Sequence, residues 1–441
     1  MGLLPRAVLV LVSVLLLGVV VTLLYPSLPT LITHHSLLVT QEAPALPLPD
    51  KPSLAVLSFT NLSEDPKQEY FSDGLTEDLT TDLSKISGLF VIARNSAFTY
   101  KGKAVKVQDV SRELGVRYVL EGSVRKMDEQ LRITAQLVDA TTGYHLWSER
   151  YDGELKDIFA LQDEIRQKIV LALKVKLTPE EQERFKRAPT NSLNAYDYYL
   201  RSLEFGLSPL TKDANAQARQ MCERALELDP QYAAAYARLS LTYWMEWFSQ
   251  WSQEPQTLEH AHELAQKAVA LDESLPVAHQ MLGWVYLLQK QYDQAQAEME
   301  RAITLDPNFS AGYQGLAFVL LSSGKPQEAI TAATKSVRMS PHQIFLLNGL
   351  GQAYLAAGRY EEAIATFKKV LARNPDFWFA HWGLAVIYSE SGKEEEAKAE
   401  GADILRITPN FSLERWKQRN FLKDPAEIER YAAALRKAGL K

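Results

Sequence analysis

The chain has 441 residues, enough for about two or three domains, and a formal net charge of −6, which does not point to DNA or RNA, so no nucleic-acid partner is expected. A single cysteine, Cys222, excludes an internal disulfide and a thiolate metal site. It falls at a helix-core position, where a thiol behaves as a small buried apolar group.

The first element is an uncharged apolar run from Ala7 to Leu24. As a helix it is about 27 Å long, close to the ~30 Å of bilayer hydrocarbon, and it is expected to span a membrane. Arg6 before the run also suits a cleaved signal peptide, but no small-x-small site follows Leu24. The nearest, Ala43-Pro44-Ala45, lies far downstream and is interrupted by proline. The reading adopted is an uncleaved anchor. Residues 1–25 then form a cytoplasmic tip and a single inner-membrane span, with Arg6 held in the cytoplasm, Tyr25 at the interface and the bulk of the chain outside, in the periplasm.

Residues 26–50 read as a linker, with Pro44, Pro47 and Pro49, and Pro52 just beyond, making a semi-rigid polyproline arm. His34 and His35 are adjacent and have no further ligands near them, so they read as solvated linker. The eight histidines of the chain have no metal-binding spacing, and neither a metal nor any other cofactor is expected.

Residues 51–177 carry mixed patterns and predict a small α/β domain. Leu54 to Phe59 is a short apolar strand; Phe71, Leu75, Leu79 and Leu83 then recur at helical spacing, and Gly88 ends that helix. Leu89 to Ala93 predicts a second strand, and Val107, Val110 and Leu114 a short helix stopped by Gly115. Leu131, Ile133, Ala135 and Leu137 alternate with polar residues, pairing with the stretch Tyr118 to Val124 across a turn at Asp128. Thr141-Thr142-Gly143 turns into a third strand, Tyr144 to Arg150. A helix with the stripe Ile158, Leu161, Ile165, Ile169, Ala172 and Leu173 closes the domain.

No catalytic set emerges from this stretch. Asp73, Glu77 and Asp78 are dense carboxylates, but they fall in what reads as the first turns of a helix, where its dipole favours negative charge. Tyr100-Lys101-Gly102-Lys103 lacks the first glycine and the following Ser or Thr of a phosphate loop, and reads as a solvated basic patch of Arg94, Lys101, Lys103 and Lys106. No serine sits in a nucleophile elbow, and His145 occupies a sheet face.

From residue 190 the chain repeats. Glu273, Pro307, Pro341, Pro375 and Pro409 follow at intervals of 34 residues, and inside each interval small and large apolar residues return, as at Leu282-Gly283, Tyr286, Ala295 and Ala302, then Leu350-Gly351, Tyr354, Ala363 and Phe367. This is the period of tetratricopeptide helix pairs, which stack because one pair cannot bury its apolar face alone. The spacing predicts six units within 190–411, at 199–232, 233–275, 276–309, 310–343, 344–377 and 378–411. The second unit is nine residues longer, and the excess, Trp247 to Pro255, lengthens a helix or bulges as a loop. Residues 412–441 predict a capping helix around Ala426 to Leu435. The fold class is mainly α: a transmembrane helix, a small α/β domain and an α-solenoid.

The stretches Lys51 to Phe59, Tyr70 to Leu79, Leu120 to Arg125 and Leu146 to Tyr151 resemble the bacterial TolB-like (FlgO-like) domain. Followed by tetratricopeptide repeats, the chain is similar over residues 51–441 to the carboxy-terminal half of membrane-bound class III adenylate cyclases and of some winged-helix regulators. That resemblance implies an extracytoplasmic domain and repeat region. Only six residues precede the apolar run, which leaves no room for a cyclase or DNA-binding domain, so the expectation is a protein that is not an enzyme.

In the repeat family resembled, positions 2, 5, 9 and 12 of each first helix face the concave groove. Here they supply Trp244, Val277, Gln280, Trp284, Gln314, Phe318, Phe345, Asn348, Gln352, Phe379 and Trp382. Rings give apolar anchors and amides meet a peptide backbone, so the groove is expected to bind an extended protein segment of unknown identity, as scaffold or sensor. For Trp284 and Trp382 the core and groove readings carry equal weight, whereas Asn348 and Gln352 read as groove amides. The alternative function is small-molecule sensing by the TolB-like domain, relayed to a membrane partner.

Overall fold

The computed structural model describes residues 46–441, apart from residues 186, 206–210, 250, 253 and 419. The anchor expected at Ala7–Leu24 and most of the linker lie outside the described residues, among which no helix is long and apolar enough to cross a membrane. Leu46–Lys441 forms one compact unit, mainly helical with a single small sheet.

The sheet is built from β1 (Ser53–Val56), β2 (Thr60–Asn61), β3 (Phe90–Val91), β4 (Tyr118–Met127), β5 (Gln130–Asp139) and β6 (Tyr144–Glu154), in the order β3-β1-β4-β5-β6 with β2 also on β4. The pairs of β1 with β3 and β4 are parallel; β4, β5 and β6 form the expected antiparallel meander. Asp128, at φ 51°, and Gly143, at φ 81°, make its two turns. Parallel strands are buried on both faces, and β1 is so placed. Leu54 and Val56 pack on α1 (Glu69–Ser84) and on the later α4 (Ile158–Ala172), while Ala55 and Leu57 pack on Val110 and Leu114 of α3 (Val107–Leu114). The short α2 (Arg94–Ala97) follows β3, and α3 ends at Gly115, whose φ of 62° is the left-handed cap that glycine adopts without penalty.

After the short α5 (Pro179–Phe185), twelve helices make six antiparallel pairs. They are α6 (Leu193–Glu204) with α7 (Lys212–Leu228), α8 (Ala233–Phe248) with α9 (Pro255–Leu271), α10 (Pro276–Leu288) with α11 (Tyr292–Leu305), α12 (Ser310–Ser322) with α13 (Pro326–Met339), α14 (Ile344–Ala356) with α15 (Tyr360–Arg373), and α16 (Trp378–Glu390) with α17 (Glu394–Ile407). The nine extra residues of the second pair are shared: each helix gains three over its counterparts in the third pair, and so does the connection. The first unit starts at Leu193 rather than 199. Ser192 caps α6 by accepting from the Ala195 amide at 3.2 Å, and a long connection to α7 breaks the count back from Pro230.

The 34-residue period has a local cause at the turn that leads from each second helix to the next first helix. Asp229, Asp272, Asp306 and Asn374 accept, through their side chains, from the backbone N–H two residues on, at 2.9–3.0 Å. This Asx turn, usually followed by proline with its fixed φ, ends one helix and sets up the next. Ser340 stands in the same place at the fourth turn, and its hydroxyl instead lies 3.1 Å from that of Ser96.

That exception marks where the α/β domain docks. Asn308 donates its amide to the carbonyls of Ser84 and Leu89, at 2.7 and 3.1 Å, and accepts from the Val91 N–H at 3.2 Å. The carbonyl of Met339 accepts from the Ala93 N–H at 2.9 Å. Two successive repeat turns therefore cover β3, the edge of the sheet, whose unpaired backbone groups would otherwise be open to another strand. Arg338 donates to the carbonyls of Leu114 and Gly115, at 3.0 and 2.8 Å, capping the negative end of α3. It also donates to Pro47, and Leu46 donates to Arg112, so the end of the proline-rich stretch is fastened to the body instead of standing off it. On the other side Tyr196 and Leu200 of α6 enter the core beneath α1, so this repeat helix also belongs to the α/β domain.

Candidate functional site

The first helices of successive pairs carry an aromatic row. The ring of Trp284 on α10 lies 5.5 Å from Trp244 on α8 and 5.7 Å from Phe318 on α12; Trp244 in turn stacks on Phe248 at 4.8 Å. Further along, Phe345 on α14 meets Phe377 at 5.1 Å and Phe379 on α16 at 6.2 Å, and Phe345 is 47% exposed. Gln280 and Gln314 are half-buried and make no hydrogen bond among the described residues. Gln352 makes one long bond, 3.4 Å, to the carbonyl of Phe379. Rings and amides thus lie together on the first helices of successive pairs.

Three expected groove residues are placed otherwise. Asn348 is 4% exposed, and its Oδ1 has no partner among the described residues, so it is a buried polar group and not an open amide. Trp244 is buried by Phe248 and Trp284. Trp382 is buried by Trp416, 5.7 Å away, and by Tyr431, 5.3 Å away. The indole N–H groups of both tryptophans are unpaired. For Trp382 the cause is the carboxy-terminal end, which forms two helices, α18 (Leu413–Gln418) and α19 (Pro425–Lys437), where one was expected. α19 packs on α16 as an end cap, and Trp416 of α18 covers Trp382.

Sequence reasoning missed the residues between those helices. Phe421 packs in the cluster that holds Leu287, Met299, Trp284 and Phe318, and its ring lies nearly parallel to Phe248 at 6.2 Å. Its carbonyl accepts from the Tyr292 hydroxyl at 2.9 Å, and the next amide but one, from Lys423, donates to the Ser322 carbonyl at 2.8 Å. The available signal was Trp416 and Phe421 themselves, two large rings in a stretch with no repeat period.

The carboxylates of the α/β domain are engaged by partners, not by a helix end. α1 begins at Glu69, so Asp73, Glu77 and Asp78 lie beyond its first turn. Lys101 bonds Asp73 at 2.6 Å and Glu69 at 2.8 Å, and Arg94 lies 2.7 Å from Glu77. The expected basic patch therefore loses both Arg94 and Lys101. Asp78 accepts from Tyr196 and from Gln162, and burial pushes its carboxyl up to about 7, with Asp82 adding to the rise. Cys222 is buried, and burial pushes its thiol up to about 11.

Among the described residues one group, His381, Glu400 and Asp403, is close enough to share a cation. Both ring nitrogens of His381 are already engaged: Nδ1 with Glu400 at 2.6 Å and Nε2 with the Pro375 carbonyl at 2.9 Å. His279 repeats this pattern, with Glu298 at 2.6 Å and the Glu273 carbonyl at 2.9 Å. With two acceptors each, these imidazoles are clasps between the helices of a pair and leave no nitrogen for a metal.

Tetratricopeptide-repeat models match residues 276–309, 320–377 and 354–418. The helix pairs within those residues are tetratricopeptide repeats. Over 250 residues, 56% of its length, the chain is 50% identical to a protein of Rhizobium meliloti (strain 1021) named "Putative adenylate cyclase 3", and it spans 42% of that relative. Among solved structures, Pseudomonas aeruginosa PilF is similar at 21% identity over 49% of this chain and 93% of its own, with a TM-score of 0.39. A tetratricopeptide repeat protein from Parabacteroides merdae is similar at 15% identity over 56% of this chain and 93% of its own, with a TM-score of 0.37.

Proposed function

We propose that this protein is a non-catalytic scaffold that binds an extended segment of another protein in the concave face of its repeats. The observation that carries this reading is the row Trp284, Phe318, Phe345 and Phe379, interleaved with the free amides of Gln280 and Gln314. Rings of this kind anchor apolar side chains, and amides pair with a peptide backbone. The named activity of the Rhizobium relative is not carried over, because the chain spans 42% of that relative. The α/β domain is of the TolB-like kind on the motifs it contains. Ala7–Leu24 anchors the chain in an inner membrane with the repeats outside.

In-cell photo-crosslinking from a probe at Phe345, with exposed Glu361 as control, tests the reading. Capture of a discrete envelope protein from position 345 alone is expected. Capture of cytoplasmic proteins would reverse the orientation, and equal capture from both positions would remove the groove as the binding site.

A further inference from the structure

A segment of the chain itself lies against the aromatic row. Between α18 and α19, residues Asn420 to Asp424 lie without regular secondary structure against the ends of the first helices. Phe421 enters the Trp284–Phe318 cluster, Tyr292 donates to the Phe421 carbonyl, and the Lys423 N–H donates to Ser322 at 2.8 Å, so side chain and backbone are both read. The Lys423 ammonium stands over the Tyr292 ring at 5.8 Å, and Leu422 turns the other way, into the carboxy-terminal cluster beside Trp382. An Asx turn fixes this shape, Asn420 Oδ1 accepting from the Leu422 N–H at 2.9 Å.

We propose that Asn420–Asp424 is an internal ligand, and that the partner of this groove is a segment of the same chemistry: one free of regular secondary structure, leading with an aromatic side chain and carrying a basic residue two positions on. It rests on the reading of the repeats as a peptide groove and names the class of peptide. Three features favour displacement over permanent packing. The segment has no regular secondary structure, Phe421 is only half-buried, and its backbone makes two bonds to the groove, Tyr292 hydroxyl to the Phe421 carbonyl and Lys423 N–H to the Ser322 carbonyl. The partner would replace those contacts one for one, while the rings beyond the segment, Phe345 and Phe379, stay open to extend the interface.

The test uses the purified full-length chain and a fluorescein-labelled peptide with the sequence of residues 417–426, read by anisotropy. A tethered copy at an effective concentration of about 1 mM, binding with a Kd of about 0.1 mM, weakens uptake of a free copy roughly tenfold. Phe421→Ala is therefore expected to bind the peptide about tenfold more tightly than the unaltered chain. Adding Trp284→Ala, or replacing the phenylalanine of the peptide by alanine, is expected to abolish uptake. Asn420→Ala, which removes the Asx turn of the tethered copy alone and leaves the rings it packs on untouched, is expected to give a smaller gain and guards against a general loss of structure in Phe421→Ala. Equal affinity of the unaltered chain, Phe421→Ala and Asn420→Ala would overturn the proposal, as would uptake indifferent to Trp284. Because no outside partner is used, such a result leaves capture from position 345 to stand or fall by itself.

Discussion

Asn308 donates its side-chain amide to the carbonyl of Ser84 at 2.7 Å, joining a repeat turn to the end of a helix more than two hundred residues earlier. The same side chain serves Leu89 and Val91, so one buried amide satisfies three backbone groups along the edge of the sheet. Buried polar groups left without partners are expensive, and Asn308→Ala orphans all three. The loss expected is about 2–4 kcal/mol on that basis. It should appear in urea unfolding as an early transition of the α/β domain, split from that of the repeats. A single transition at the original midpoint would mean that the two parts are held together elsewhere.

Close packing between helices supplies a prediction with a sign that differs between equivalent positions. A Cβ on Gly351 would lie 2.6 Å from the ring of Phe367, which is fully buried and is also pressed by Gly383 from the next unit. The ring cannot retreat, so Gly351→Ala is expected to cost about 1–3 kcal/mol by overpacking. At Gly283, the same position two units earlier, the nearest atom is the end of the flexible Met299 side chain at 2.9 Å. There the gain in helix propensity, about 1 kcal/mol, offsets the crowding, and Gly283→Ala is expected to be near neutral. Thermal unfolding of the two variants side by side settles it; equal losses would refute the role given to Phe367.

These contrasts also explain what the sequence made legible. The 34-residue interval was readable because each Asx turn and each small residue repeats a local requirement, and local requirements leave periodic marks. The strands at 118–154 were readable because one side of the sheet faces water and the other does not. Phe421 left no such mark: its contacts lie about 130 residues away, and an isolated phenylalanine after the last repeat fits no period. Asn348 failed for a related reason, since counting positions along a helix says which way a side chain points and not what the rest of the chain lays over it. Ser340 was a visible clue to docking, a turn inside the series without Asp or Asn, and its meaning depends on Ser96 in another part of the fold.

The pH dependence of stability follows from the same interface and from the histidine clasps. Asp306 is 2% exposed and is pushed up to about 6 from its ordinary 3.8 by burial, against the hydrogen bonds from Ser84 and Asn308 and the attraction of Lys85 and Arg184. A raised folded value means that its contribution is fully present below the unfolded value of 3.8 and is lost as pH rises through about 6. Asp78, raised to about 7, acts in the same sense over a wider window. His279 and His381 are buried, which lowers them, but hydrogen bonds to Glu298 and Glu400 and to the carbonyls of Glu273 and Pro375 win, and both lie above 6.5. Their contribution is present below 6.5 and is lost above it. All four groups therefore lower Tm as pH rises from 4.5 to 8. Asp306→Asn keeps an acceptor for the Asn308 N–H and carries no charge, so it should reduce the lower part of that slope, between pH 4.5 and 6, and leave the upper part to Asp78 and the histidines. His381→Gln should flatten the upper part alone. A Tm that climbs over this range, or an Asp306→Asn profile parallel to that of the unaltered chain, would show that the buried carboxyl is not proton-linked to folding.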